Sequence, residues 1–199
     1  ICVVTGGSRG LGAFMAQGFL EAGAKRVYIT ARKAQACIAT ALELSQFGEC
    51  IALPGDASSA EGLGQLVQEL TKREEHIDVL VNNAGTAWGA PYGQFPEIGW
   101  DKVMDVNVKS PFFLTQALTP LLSKKASATN ASVVINIGSI AGIVGNGLDN
   151  YSYAVSKSAI HQLTRVLANE LAPAHIRVNA IAPGRFYSKM TEYMSKNKA

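Results

Sequence analysis

Tyr153 and Lys157 stand four residues apart in Tyr153-Ala154-Val155-Ser156-Lys157. On a helix that spacing stacks the two side chains on one face, one turn apart. An ammonium beside a phenol favours the phenolate and draws its pKa down from about 10 towards a useful range. Such pairs arise by chance in many helices, so this one carries weight only in company. Ser139 supplies part of that company, at the end of an apolar run in Gly138-Ser139-Ile140-Ala141-Gly142. Asn107 supplies more. It precedes Pro111 by one helical turn, and proline has no N–H, so the Asn107 carbonyl loses its helical donor. That carbonyl is then available to hold a water, although an ordinary proline kink explains the same residues.

A second set of residues suits phosphate. Thr5-Gly6-Gly7-Ser8-Arg9-Gly10-Leu11-Gly12 leaves an apolar run and enters a helical pattern. The glycine spacing is not G-x-G-x-x-G, but residues without Cβ still let backbone N–H groups and a helix N-terminus approach a pyrophosphate. Thr5, Gly6, Ser8, Arg9, Gly10, Leu11 and Gly12 are therefore candidate dinucleotide ligands. A site selective for NAD needs an acidic residue at the end of the second strand, to receive the ribose hydroxyls. The sequence there reads Thr30-Ala31-Arg32-Lys33, without a carboxylate. Arg32 and Arg9 can instead clamp a 2′-phosphate, or Arg32 and Lys33 simply begin a solvated helix. Asp56, followed by Ala57, is placed to accept from an adenine amino group or to serve near a helix N-cap. Asn82-Asn83-Ala84-Gly85 ends another run. Buried amides there must tie neighbouring strands together, line the cofactor site, or do both.

Six short apolar runs carry these segments: 1–5, 27–31, 51–54, 77–83, 133–138 and 176–182. They are nearly continuous in apolar residues, as strands buried on both faces of a parallel sheet should be. Helical patterns separate them at about 11–22, 33–46, 59–73, 97–123 and 151–171, with Ile160, Leu163 and Leu167 at helical spacing in the last. Strict alternation predicts an α/β, doubly wound, Rossmann-type parallel sheet with helices on both faces and right-handed crossovers. Ligands of such sheets bind at the carboxyl ends of the strands, near the switch point. The polar and glycine-rich segments fall there.

Composition narrows the class. Of 199 residues, 48% are hydrophobic and 17% charged, against a usual charged share of about 25%, so a large core is expected and disorder is excluded. No internal repeat or linker divides the chain, which predicts one domain over 1–199. The net charge of +3 without a basic cluster argues against nucleic acid as a partner. No apolar run reaches the ~20 residues of a membrane span. No charged n-region with an apolar h-region opens the sequence, and Cys2, Cys37 and Cys50 have no metal-ligand spacing. A cytoplasmic protein without metal is the expectation.

Taken together, TGGSRGLG, NNAG, Asn107, Ser139, Tyr153 with Lys157, and Pro183-Gly184 stand in the order and spacing of the short-chain dehydrogenase/reductases, which the chain resembles over essentially all its length. The resemblance implies an oxidoreductase using NADP(H) in preference to NAD(H). Tyr153 is then the general acid of carbonyl reduction and Ser139 orients the carbonyl. Lys157 binds the nicotinamide ribose and tunes Tyr153, while Asn107 anchors a proton-relay water. Asn83, Ala84, Gly85, Tyr153 and Lys157 join the cofactor set, and Pro183, Gly184 and Phe186 line its nicotinamide end, with Ser188 where the family often has Thr. The family continues through a substrate lid into a further helix and strand that help build its tetramer. This chain opens inside a strand and stops at Ala199 within the lid, so those last elements are expected to be missing.

More narrowly, NNAGTAWGA, NIGSIAGI and IAPGRFYSKMT resemble the β-ketoacyl reductases associated with rhamnolipid biosynthesis. The pocket expected from this resemblance comprises Trp88, Ser139, Ile140, Ile143, Tyr187 and Met190, with Val144, Phe186 and Met194 at its mouth. Apolar lining suits an acyl chain, at about 0.8 kcal/mol per buried methylene, and suits a polyhydroxylated sugar poorly. Packing within the lid explains several of these side chains equally well. Arg185, Lys189, Lys196 and Lys198 either meet the phosphates of a pantetheine carrier or form a solvated lid face. The reading is reduction of a 3-oxoacyl thioester to a 3-hydroxyacyl product by a homo-oligomer, dimer or tetramer. The alternatives are a reductase of a small polyol, sugar or xenobiotic carbonyl, and a non-catalytic dinucleotide sensor.

Overall fold

The computed structural model describes residues 1–145, 147–184 and 186. Its six strands are β1 (Cys2–Thr5), β2 (Val27–Thr30), β3 (Cys50–Ala52), β4 (Val79–Asn82), β5 (Ser132–Ile137) and β6 (Ile176–Ile181). They form one sheet in the order β3-β2-β1-β4-β5-β6. Every pairing is parallel, Val4 opposing Ile29 on one side and Val81 on the other. The order reverses between β1 and β4. That is the switch point, where two loops part and leave a crevice.

The helices are α1 (Gly10–Glu21), α2 (Ala34–Leu44), α3 (Ala60–Arg73), α4 (Glu97–Met104), α5 (Ser110–Ser123) and α6 (Tyr151–Leu171). Alternation along each strand divides the core in two. Val4, Ile29 and Val81 face Ala16 and Leu20 of α1 and Cys37, Ala41 and Leu44 of α2. Val3, Tyr28, Leu80 and Val134 face Leu66 and Leu70 of α3, Leu114, Leu118 and Leu122 of α5, and Leu167 of α6. The three α5 leucines are fully buried, and each contributes about 1.5–3 kcal/mol on leaving water. Cys2, Cys37 and Cys50 are all buried with free thiols.

The strands and helices stand where the sequence reading puts them, within a few residues, with one difference. The helix expected over 97–123 is three pieces. A π-helical segment, Asp105–Lys109, separates α4 from α5. There the Ser110 N–H donates to the Asp105 carbonyl, five residues back. Pro111 sits in the first turn of α5, where its missing N–H is least costly. The chain thus meets the absent donor by widening one turn rather than by bending alone.

Candidate active site

The β1–α1 turn is closed from below. The buried Thr5 hydroxyl accepts from the N–H groups of Asn83 and Ala84, both at 3.0 Å, and donates to the Val81 carbonyl at 3.3 Å. The Asn83 amide donates to the carbonyls of Thr5, at 2.8 Å, and Gly6, at 3.2 Å. Gly6 has φ +65, and a Cβ there would lie 2.9 Å from Ala84 Cα, so only glycine fits. Arg9 is the N-cap of α1 and gives it no side-chain cap. The first N–H groups of α1 are therefore left to an anion. Thr5, Gly6, Ser8, Arg9, Gly10, Leu11 and Gly12, the candidate dinucleotide ligands, all lie in this turn and the start of α1. Arg9 and Arg32 are exposed.

Asp56 stands in the loop between β3 and α3. Its Oδ1 accepts from the Ser58 N–H at 3.0 Å and the Ser58 hydroxyl at 2.6 Å, which leaves Oδ2 as its acceptor. The N-cap of α3 is Ser59, not Asp56. The Ala57 carbonyl accepts from Ser110 Oγ at 2.8 Å, fastening this loop to the start of α5.

Across the switch point the side chains interlock. Asn107, inside the π segment, is buried. Its Oδ1 accepts from the Thr86 N–H, and its Nδ2 donates to the Thr86 carbonyl and to Ser156 Oγ, each at 2.9 Å. The Ser156 hydroxyl donates to the Tyr153 carbonyl at 2.7 Å. The Asn107 side chain is thus a clasp between the Thr86 peptide and α6. A Cβ on Gly85 would lie 3.5 Å from Asn107 Oδ1 and 3.7 Å from Lys157 Nζ. Gly85 is where the two candidates approach the same space.

Lys157 Nζ lies 5.6 Å from the centre of the Tyr153 ring and donates to the Ile137 carbonyl at 2.6 Å. Burial pushes the Lys157 ammonium down to about 8, because a charge in a dry site loses its hydration. Ser139 follows β5. Its Oγ accepts from the Ala141 N–H at 3.1 Å, capping the short turn Ile140–Gly142. The Pro183 carbonyl accepts from the Ile140 N–H at 3.1 Å and so brings Pro183-Gly184 against that turn. Ile140, Ile143 and Val144 are 44%, 66% and 59% exposed, an apolar surface beside Ser139. Phe186 is also exposed. The Trp88 ring lies against Gly99 of α4, with Lys102 Nζ 5.5 Å from its centre. Arg185, Tyr187, Ser188, Lys189, Met190, Met194, Lys196 and Lys198 lie outside the described residues.

Several residues in this arrangement were not singled out from the sequence. Thr86 and Ser156 are the partners of Asn107; both lie in stretches that draw attention for other residues, Ser156 directly before Lys157, but nothing local pairs either with Asn107. Asn136 had a faint signal. Asn82 donates to Asn136 Oδ1 at 2.9 Å and to Thr115 Oγ1 at 3.1 Å, and Asn136 donates to Thr164 Oγ1 at 2.9 Å. That buried chain ties β4, β5, α5 and α6 together, so Asn82 acts as a strand tie. His161 gave no signal. Its Nε2 is buried without a partner, and its ring fills the place a Gly138 side chain would take. Burial, with Arg165 and Lys157 nearby, holds it below the usual histidine range.

The comparisons agree with this geometry. The family model described as short chain dehydrogenase matches residues 1–199. A rhamnolipids biosynthesis 3-oxoacyl-[acyl-carrier-protein] reductase of Pseudomonas aeruginosa is 54% identical over 99% of this chain and 77% of its own length. A 2-dehydro-3-deoxy-D-gluconate 5-dehydrogenase of Escherichia coli is 36% identical over 98% of the chain and 74% of its own. Among solved structures, the Pseudomonas aeruginosa RhlG/NADP active-site complex superposes with a TM-score of 0.95 at 53% identity, covering 99% of this chain and 77% of that one. With the family model matching over residues 1–199, relatives of this identity and the parallel sheet order, the chain belongs to the short-chain dehydrogenase family.

Proposed function

We propose that the protein is an NADPH-dependent 3-oxoacyl thioester reductase, its residues 1–199 forming a single catalytic domain. The observation that carries the reading is the 54% identity to the Pseudomonas aeruginosa 3-oxoacyl reductase over 99% of the chain. The exposed apolar run Ile140, Ile143 and Val144 beside Ser139 supports an acyl substrate, since a sugar's hydroxyls would lose water there without partners.

The glycine cradle and the uncapped N-terminus of α1 fit a dinucleotide pyrophosphate. Arg9 and Arg32 receive the 2′-phosphate, Asp56 and Ala57 the adenine, and Asn83, Ala84 and Gly85 the ribose side of the crevice. A reduced nicotinamide bound there would supply the hydride that the carbonyl carbon accepts. Ser139 donates a hydrogen bond to the carbonyl oxygen and fixes its position. Tyr153 gives its phenolic proton to that oxygen, so the ketone becomes a secondary alcohol. Lys157, still protonated near neutral pH, stabilises the phenolate left behind and holds the ribose. The Asn107 carbonyl and Lys157 share a water through which Tyr153 is reprotonated. Pro183, Gly184 and Phe186 close the nicotinamide end, and Ile140, Ile143 and Trp88 cover the substrate.

The protein is further assigned to the cytosol as a homo-oligomer. In support, among the described residues no helix is long and apolar enough to cross a membrane, and Ile98, Phe113 and Val166 stand exposed on α4, α5 and α6. The test of the central reading is kcat/KM with NADPH along 3-oxoacyl thioesters of increasing chain length. A rising series is expected. A flat or falling series beside good turnover of a sugar or polyol would replace the acyl reading with the polyol one.

A further inference from the structure

Two cationic residues of the proposed 2′-phosphate site come from different parts of the chain. Arg9 belongs to the β1–α1 turn, and Arg32 to the loop between β2 and α2. A two-point receptor for one phosphate works only if the two points keep their separation. Both are exposed, so burial does not fix it. The fixing contacts lie one and two residues before Arg9, at Ser8 and Gly7. The Thr30 carbonyl accepts from the Gly7 N–H at 3.1 Å. On the other side, Thr40, in the middle of α2, donates its hydroxyl to the Ser8 carbonyl at 2.9 Å. That bond spans 32 residues of sequence, and it links the helix that follows Arg32 directly to the peptide that precedes Arg9.

The direction of the bond matters as well as its existence. In a planar trans peptide the C=O and the following N–H point opposite ways. With the Ser8 oxygen held on α2, the Arg9 N–H is turned away from α2. The electron-rich end of the same peptide is kept from rotating towards an incoming phosphate.

We infer that Thr40 is a positioning residue for cofactor discrimination: its hydroxyl fixes the Ser8–Arg9 peptide so that Arg9 and Arg32 meet one phosphate together. Thr40 touches neither cofactor nor substrate, and it acts through Arg9. The inference rests on the reading that these two arginines select NADPH.

The experiment measures dissociation constants of NADPH and NADH, by nicotinamide fluorescence, for the wild type, Thr40→Val, Thr40→Ser, Arg9→Ala and Arg9→Ala with Thr40→Val. Valine keeps the branched shape and removes only the donor. Thr40→Val should weaken NADPH about threefold to tenfold, the range of one neutral hydrogen bond, and leave NADH within about twofold. Thr40→Ser should restore the wild-type ratio. In the Arg9→Ala background, Thr40→Val should add nothing, because the group it positions is gone. Equal losses for both cofactors, an unchanged NADPH constant, or full additivity in the double variant would overturn the inference while leaving the two-arginine reading intact. A wild type that binds both cofactors equally would overturn that reading, and this inference with it.

Discussion

On the β4–β5–α6 side of the switch point the functional candidates are held by buried side-chain hydrogen bonds. Asn107 makes three, Lys157 is fixed on the Ile137 carbonyl, and the Asn82–Asn136–Thr164 chain stiffens the strands beneath them. On the β1–β2 side the turn is also pinned, by glycines and by the Thr5, Asn83 and Thr40 side chains bonding to main chain, but the candidate phosphate readers themselves, Arg9 and Arg32, stand in solvent. The difference fits the tasks proposed for the two sides. A proton donor displaced by an ångström loses much of its rate, so its surroundings are fixed by bonds that cost desolvation and rotamer freedom. A guanidinium that reads a phosphate needs its hydration until the ligand arrives, and burying it unpaired would cost far more.

The largest effect should come from the rigid side. Tyr153→Phe keeps the ring and removes the donated proton, so kcat should fall by about 10²–10⁴ while NADPH binding stays nearly intact. Stopped-flow turnover alongside cofactor titration checks both halves of the statement. Normal turnover would show that Tyr153 is not the acid, and would leave the interlocked side without its chemical purpose.

The burial of Lys157 predicts a stability effect of the next size. Its folded pKa, about 8, lies below the ordinary 10.5. Between those values the unfolded chain binds more protons than the folded one, so unfolding free energy rises with pH across that window. The protein should gain on the order of 3 kcal/mol from pH 8 to pH 10.5 through this group. Lys157→Met removes the titration, and the loss of the Ile137 hydrogen bond adds only a constant offset. Urea midpoints of both proteins over that range isolate the term. Parallel curves for wild type and variant would mean the ammonium is well solvated, and the contrast between the two sides would shrink.

The exposed side is probed by charge reversal. A charge-assisted contact contributes about 1.5–3 kcal/mol, so Arg32→Asp should weaken NADPH roughly 10- to 150-fold and NADH far less. Equal losses would show that Arg32 does not read the 2′-phosphate. Stability should hardly move, since an exposed side chain is being replaced.

The legibility of the two sides in the sequence differs for the same reason. The sheet was readable because each strand is a short apolar run, and the helices because their apolar residues recur at helical spacing. Thr5, Gly6, Arg9 and Gly12 were readable because glycines and charges in one turn are a local pattern. Asn107 was readable only through Pro111, and the sequence pointed to a lost donor without showing that the helix would widen into a π turn. The partners of Asn107 were not readable. Thr86 and Ser156 reach it across 21 and 49 residues of sequence, and no local spacing encodes such a meeting. Trp88 is a related case: its place beside NNAG is local, whereas its contacts with Gly99 and Lys102 of α4 are not written in that stretch.

Asp56 belongs to neither extreme, and it should give the smallest effect. Its carboxylate is half exposed, yet one oxygen is held by the Ser58 N–H and hydroxyl. Ser58→Ala removes the hydroxyl and keeps the N–H, so the carboxylate should loosen without losing its place. Adenine is common to both dinucleotides. The expected loss is therefore about threefold for NADPH and the same for NADH, the lower part of the range for one hydrogen bond. The preference between them should not change, in contrast to Arg32→Asp, which should change little else. Titrating both cofactors against the Ser58→Ala protein gives the two numbers needed. A shift in their ratio would mean that the Asp56 loop also senses the 2′-phosphate, through its charge on Arg32. Tighter binding of both would mean that Ser58 competes with adenine for the carboxylate rather than presenting it.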